Sequence, residues 1–169
     1  MAGLELPTTP AMERGKRLHD VVSRNKLRLI PEISESAVFE HIEPAKSIWQ
    51  NYFRVPLNDW LELSLVIDVL DKQNALVVDW KASVKRSTEH SKMQVYLYGL
   101  AMSKLPQPID IKRGIYGTID EDHNRNVFCR EYSIFKINQE KKDLALNYAE
   151  TIAGEIKEAI DNQTKGQNG

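Results

Sequence analysis

The stretch Leu61 to Gly99, LELSLVIDVLDKQNALVVDWKASVKRSTEHSKMQVYLYG, holds two apolar runs that each lead to a carboxylate, Asp68 and Asp79, with Lys81 close behind the second. On a strand, Val77, Asp79 and Lys81 share one face and Val78 and Trp80 the other. A rise of roughly 3.3 Å per residue then sets Asp79 and Lys81 about 7 Å apart. On the preceding strand Leu65, Ile67 and Val69 are expected on one face, with Val66 and Asp68 on the other. Paired carboxylates at neighbouring strand ends are hard oxygen ligands for Mg²⁺ or Mn²⁺, and a strand carbonyl adds another. A cation so held polarises a phosphodiester and acidifies a bound water, while a lysine beside it faces the oxygens that gain charge as phosphorus is attacked. The chemistry indicated is metal-dependent phosphodiester hydrolysis.

The elements that must position these groups follow from period and punctuation. Thr9 caps a helix with Pro10 in its first turn, running to about Asn25, with Met12, Gly15, Leu18, His19 and Val22 on neighbouring positions. There Gly15 is expected to permit a close approach. PEISESAVFEHIEP, from Pro31, reads as a second, shorter helix. SIWQNYFRVPL and DWLELSLVIDVL read as strands, and KQN turns into ALVVDWKAS, which gives an antiparallel meander. A helix over STEHSKMQVYLYGLAMSKL, capped by Ser87 or Thr88, sets Gln94 and Tyr98 one turn apart. IKRGIYGTID and VFCREYSIF make a hairpin around EDHNRN. A last helix from Asn138 to Ile160 carries Leu144, Tyr148, Ile152, Ile156 and Ile160 as a stripe expected to pack in the core. Residues 161–169 are expected to form a disordered tail and residues 1–160 a single domain. The expected fold class is α/β, a central mixed sheet of the meander plus further strands, flanked by helices.

Composition narrows the class. A chain of 169 residues, 41% hydrophobic and 28% charged, is long enough to bury one core. A single cysteine, Cys129, excludes an intrachain disulfide and a cysteine-built zinc or iron–sulfur centre. No apolar run nears the roughly 20 residues that cross a bilayer, and the amino terminus has no signal-peptide core, so a cytoplasmic location is expected. The net charge of −1 conceals a local asymmetry. Between Glu13 and Arg28, Arg14, Lys16, Arg17, Arg24, Lys26 and Arg28 face only Glu13 and Asp20, and later Lys81, Lys85, Arg86 and Lys92 outnumber Glu89. The segment between them is acidic, with Glu32, Glu35, Glu40 and Glu43. Taken alone such runs are solvated faces; flanking the Asp68–Asp79 region they suit a polyanion.

In sequence order, GKRLH (Gly15 to His19), VID (Val66 to Asp68), DWK (Asp79 to Lys81) and QVYLY (Gln94 to Tyr98) resemble the G-x-x-x-H, D, [DE]-x-K and Q-x-x-x-Y motifs of RecB-like nucleases, a branch of the PD-(D/E)xK phosphodiesterase superfamily. Each motif alone has an ordinary structural reading; the order of the four is what carries the resemblance. It implies a restriction-endonuclease-like αβββαβ core and a Mg²⁺- or Mn²⁺-dependent deoxyribonuclease, an exonuclease leaving 5′-phosphate and 3′-hydroxyl ends. By the same resemblance Asp68, Asp79 and Lys81 are the catalytic residues. His19, Asp68, Asp79 and the Trp80 main-chain carbonyl are the metal ligands, and Gln94 and Tyr98 line the site and position DNA. Arg14, Arg17, Lys85 and Arg86 are placed at phosphates on charge and sequence proximity alone. The resemblance also points to a stand-alone nuclease of phage or mobile-element type, in a bacterial cytoplasm or a phage host's. There it would act in DNA repair or recombination, with a homo-oligomer and a recombination or replication partner protein open to it.

The chain departs from the pattern in places. Leu65 stands where RecB-like members often carry a glycine before the second-motif Asp, and no choice is made among Glu32, Glu35, Glu40 and Glu43 for an additional acidic group. The iron–sulfur version of the family needs four cysteines, so no cluster is expected here. Against exonuclease activity stand an endonuclease of the same superfamily and a non-catalytic DNA-binding or assembly module on the same fold. A glycosidase-like use of the two aspartates is the third alternative, and it leaves Lys81, His19 and Gln94 without a role.

Overall fold

The computed structural model describes residues 9–25, 42, 47–82 and 88–167. Helix α1 spans Pro10–Asn25. Its start follows local chemistry: Thr9 Oγ1 accepts the Met12 N–H at 3.3 Å, and Pro10 occupies a first-turn position where its missing donor costs nothing. Strands β1 (Ile48–Pro56), β2 (Glu62–Asp71) and β3 (Leu76–Lys81) form the expected meander. Helix α2 (Thr88–Ser103) leads to β4 (Arg113–Glu121), β5 (Val127–Lys136) returns, and α3 (Gln139–Gln167) closes the chain.

The strands lie in the order β1-β2-β3-β4-β5, antiparallel except for the parallel pair β3–β4. The protein is therefore α/β, with a mixed five-stranded sheet flanked by helices. A parallel pair needs a crossover, and α2 is that crossover, which lays it against the strand bearing Asp79.

Two apolar layers hold the helices to the sheet. On one face Leu18 and Val22 of α1 pack against Val69, Val78, Trp80, Ile115 and Ile119. On the other, Val95, Tyr98, Ala101 and Met102 of α2 and Ala145 of α3 meet Leu65, Ile67, Leu70 and Val77. Leu18 is fully buried, and emptying such a position costs about 2–5 kcal/mol. That packing fixes the helix carrying His19 one position further on.

The alternation along β2 differs from the expected one. Leu65 and Ile67 face the α2 side, but Val69 joins Val78 and Trp80 on the α1 side, and Leu70 returns to the α2 side. The phase slips at Asp68. Trp49 pairs with Val69 and Asn51 with Ile67, and between these pairs Gln50 holds a φ of 44°, in the left-handed region that interrupts a regular strand. Asp68 keeps the expected side, toward His19 of α1, and it is Val69 that changes face.

The stripe on the last helix is not core. Leu144, Tyr148, Ile152, Ile156 and Ile160 all stay exposed, and α3 docks instead through Lys142, Ala145, Leu146 and Ala149. Steps of four residues overshoot a 3.6-residue turn by about 40° each, so the series winds around the helix instead of forming one face. Nor does α3 end at Ile160: it continues to Gln167, and Thr164 Oγ1 donates back to the Ile160 carbonyl at 3.0 Å. The expected tail is polar but free of proline, and polarity alone does not stop a helix. The short helix expected from Pro31, apart from Ile42, and the residues Glu32, Glu35, Glu40, Glu43, Lys85, Arg86 and Ser87 lie outside the described residues.

Candidate active site

The β2–β3 ladder runs from Asp71↔Leu76 to Val69↔Val78. Beyond it the Asp68 side chain takes over the strand's bonding: Oδ2 accepts the Trp80 N–H at 2.7 Å. A carboxylate thus sits at the parting of two strands, satisfied on one oxygen and buried to 8% exposure. Its other oxygen, Oδ1, lies 3.6 Å from His19 Nδ1 of α1.

Asp79, on β3, is only 1% exposed. Its Oδ1 accepts from Lys81 Nζ at 2.8 Å and from the Tyr98 hydroxyl at 3.1 Å. The Tyr98 oxygen in turn accepts from Gln94 Nε2 at 2.8 Å. The two residues a helical turn apart on α2 therefore act as a brace running through Tyr98 to the β3 carboxylate. The expected same-face Asp79–Lys81 pair is present, closed to direct contact by the flexible lysine stem. Asp79 Oδ2 is buried and has no hydrogen-bond partner among the described residues.

These surroundings set the electrostatics. Burial pushes the Asp79 carboxyl above the ordinary aspartate range; Lys81 pulls it down, and the charge of Asp68 pushes it up again. The Tyr98 hydroxyl is also raised, by burial and then by the two carboxylates, so it stays a donor. A buried carboxylate oxygen without a partner is costly to leave so, and a cation would relieve it.

A cavity of about 440 Å³ opens beside this cluster, lined by Ala11, Met12, Arg14, Gly15 and His19 of α1 and by Lys81 and Ala82. Lys81, its side chain 18% exposed, thus joins the buried carboxylate to open space. Arg14 donates to the Ala82 carbonyl at 3.3 Å and pairs with Asp120 at the end of β4. Arg17 donates to Glu121 Oε2 at 2.6 Å and holds that carboxyl below its usual range. A bulge leaves Arg130 out of the β4–β5 register, and its guanidinium also reaches Asp120. The basic side of α1 is therefore answered by carboxylates distant in sequence.

No family model and no curated protein matches the sequence. Among solved structures, SSO0001 aligns with a TM-score of 0.43 and 17% identity over 81% of this chain, which spans 58% of that one. LHK-Exo in complex with dAMP aligns with a TM-score of 0.46 and 10% identity over 96% of this chain and 76% of that one. The functional reading rests on the residues themselves.

The structure gathers His19, Asp68, Asp79, Lys81, Gln94 and Tyr98 around the open end of β2 and β3, with the Trp80 main chain between the two aspartates. Arg14 stands at the cavity wall and Arg17 beside Glu121. Asp120, Glu121 and Arg130 are the participants that sequence reading missed, since nothing local ties β4 and β5 to α1. Close approach at Gly15 is not demanded: an added Cβ would meet Ala82 at 3.8 Å, an ordinary contact. Among the described residues no group of three or more His, Cys, Asp or Glu side chains is arranged to hold a metal ion. Asp68 is bonded toward His19 of α1, while Asp79 Oδ1 is taken by Lys81 and by Tyr98 of α2. The donor chemistry nonetheless suits Mg²⁺ or Mn²⁺, because one imidazole, two carboxylates and the orphaned Asp79 Oδ2 are at hand.

Proposed function

We propose that this protein is a Mg²⁺- or Mn²⁺-dependent deoxyribonuclease of the RecB-like, PD-(D/E)xK kind, acting as an exonuclease that leaves 5′-phosphate and 3′-hydroxyl ends. The observation that supports it best is the buried Asp79, whose one oxygen is bonded by Lys81 and Tyr98 while the other has no partner among the described residues, with Lys81 and His19 lining the adjoining cavity. An aspartate and a lysine ending a solvent-facing strand would need no such enclosure.

The chain's own groups divide the work. His19, Asp68, Asp79 and the Trp80 carbonyl would hold the ion, which when bound supplies Lewis-acid polarisation of the phosphodiester and an acidified water. Lys81 sets a compact positive charge where the phosphoryl oxygens become more negative, and its ammonium orients the attacking water. Tyr98, held by Gln94, fixes the orientation of Asp79 so that the carboxylate need not reorganise during the reaction. Arg14, at the cavity wall, reaches a backbone phosphate by exchanging a carboxylate partner for it. DNA is the partner, and Cys129 alone leaves no place for an iron–sulfur cluster.

A second reading, a non-catalytic DNA-binding module on this scaffold, is favoured by the lack of a ready three-ligand group among the described residues. End-labelled linear DNA and closed circles, single- and double-stranded, incubated with Mg²⁺, Mn²⁺ or EDTA separate the readings. The exonuclease shortens linear DNA from its ends in metal and spares circles. Cleaved circles would make it an endonuclease, and intact DNA throughout with retained binding would leave the module.

A further inference from the structure

Beside Lys81 lies a hydroxyl that the fold does not use. Thr118 of β4 is 2% exposed, and its Oγ1 is buried with no hydrogen-bond partner among the described residues. A buried hydroxyl left so costs stability, and valine, the same shape without the oxygen, would fill a strand position equally well. The oxygen therefore needs a reason.

The sheet register gives Thr118 its neighbour. β3 and β4 run parallel, and Lys81 pairs with Thr118 as Val77 pairs with Gly114 and Val78 with Ile115. Val78 and Ile115 both pack on the α1 side, whereas Val77 packs on the α2 side and a Cβ on Gly114 would meet Val95 of α2. Paired residues thus share a face, and by alternation Thr118 shares one with Asp79 and Lys81. Adjacent strands lie roughly 4.8 Å apart, while two residues along a strand are about 7 Å apart, so Thr118 is nearer the root of the Lys81 stem than Asp79 is. The ammonium rests on Asp79 Oδ1 at 2.8 Å. A flexible four-carbon stem can turn from one to the other.

That choice bears on the chemistry at Asp79. When the carboxylate gives its charge to a divalent cation, an ammonium left at its oxygen loses its attraction and meets a second positive charge. Lys81, its side chain 18% exposed, then requires another acceptor. We propose that Thr118 is a positioning residue whose Oγ1 accepts the Lys81 ammonium when Asp79 is committed to a cation. A hydroxyl oxygen has two lone pairs to offer, and Asp79 Oδ1 keeps its bond from Tyr98 through the exchange. Only hydrogen bonds change hands. The inference rests on the nuclease reading and deepens it: Thr118 holds Lys81 beside the reacting phosphate after the lysine has left its carboxylate.

The test measures Mn²⁺ binding to the full chain by calorimetry without DNA, and cleavage of end-labelled DNA separately. Thr118→Val deletes the oxygen and keeps the shape, so in EDTA it is expected to melt at or above the wild-type temperature. Its Mn²⁺ affinity is expected to fall about 10- to 100-fold, as for loss of a hydrogen bond to a charged group, and kcat to fall with KM for DNA little changed. Thr118→Ser keeps the oxygen and is expected to restore both. In a Lys81→Met background Thr118→Val should no longer alter Mn²⁺ affinity, because no ammonium is there to be received. The proposal is overturned if the affinity falls as far in that background, which would make the role independent of Lys81. If wild type cleaves and Thr118→Val matches it in binding and rate, the Thr118 role fails and the nuclease reading stands. If wild type binds Mn²⁺ and cleaves no DNA, the nuclease reading fails, and the binding cycle still decides for or against the Thr118–Lys81 exchange. Wild type that takes up no Mn²⁺ overturns both.

Discussion

The Tyr98 hydroxyl donates to Asp79 Oδ1 across 3.1 Å, and both groups are buried. A helix side chain therefore fixes the direction of a strand carboxylate, and the helix can do so because a parallel β3–β4 pair obliges the chain to cross over at that place.

Tyr98→Phe tests the brace. It deletes the bond to Asp79 and leaves Gln94 Nε2 without its acceptor, while keeping the ring and its packing. A hydrogen bond to a charged group is worth about 1.5–3 kcal/mol. The expected outcome is a fall in kcat of about 10- to 100-fold with KM for DNA little changed, measured by steady-state cleavage.

Asp79→Asn separates stability from function. Burial holds the Asp79 carboxyl above its unfolded value, so its protonated form is the one the fold prefers, and the contribution to stability is fully present below the unfolded pKa and lost as pH rises through the folded one. Asparagine resembles the protonated acid. In EDTA at neutral pH the variant is expected to melt at a higher temperature than wild type, with the difference disappearing as the buffer is made acidic. Thermal melts at several pH values check the sign.

Gly117 and Gly15 should respond oppositely to alanine. At Gly117, paired with Trp80 in the β3–β4 ladder, an added Cβ would fall 2.4 Å from Trp80 Cζ3, so the indole must move. A cost of about 1–3 kcal/mol is expected, with a shift in tryptophan fluorescence. At Gly15 the nearest atom is 3.8 Å away and the site is mid-helix, so Gly15→Ala is expected to be neutral or to stabilise by up to about 1 kcal/mol. Urea denaturation of both variants decides.

Arg14 and Arg17 are distinguished by salt. Each is ion-paired, but only Arg14 lines the cavity. Arg14→Ala is expected to weaken DNA binding and reduce the slope of log affinity against log salt by about 0.7–0.9, the signature of one phosphate contact. Arg17→Ala should leave the slope closer to that of wild type, and fluorescence anisotropy over a salt series reads both.

Much of this was legible in the chain because it is written locally. The α1 start at Thr9 and Pro10, the meander, the same-face Asp79 and Lys81 and the one-turn spacing of Gln94 and Tyr98 all depend on short-range period. What was not legible depends on partners far off in sequence. The left-handed Gln50 on a neighbouring strand accompanies the change of face at Val69, and Asp120 and Glu121 pair with a helix that reads as basic by itself. The exposed residues of α3 follow a step of four that a seventeen-residue reading mistakes for one face.

In the proposed reaction Asp79 and Lys81 carry a metal-dependent phosphodiester cleavage. End-labelled single- and double-stranded DNA incubated with wild type, Asp79→Ala and Lys81→Ala, each with Mg²⁺, Mn²⁺ or EDTA, tests it most directly. Products bearing 5′-phosphates are expected from wild type in metal alone, with cleavage reduced at least about 100-fold in both variants while DNA binding persists. Equal cleavage by the variants, or intact DNA from folded wild type in every condition, would contradict it.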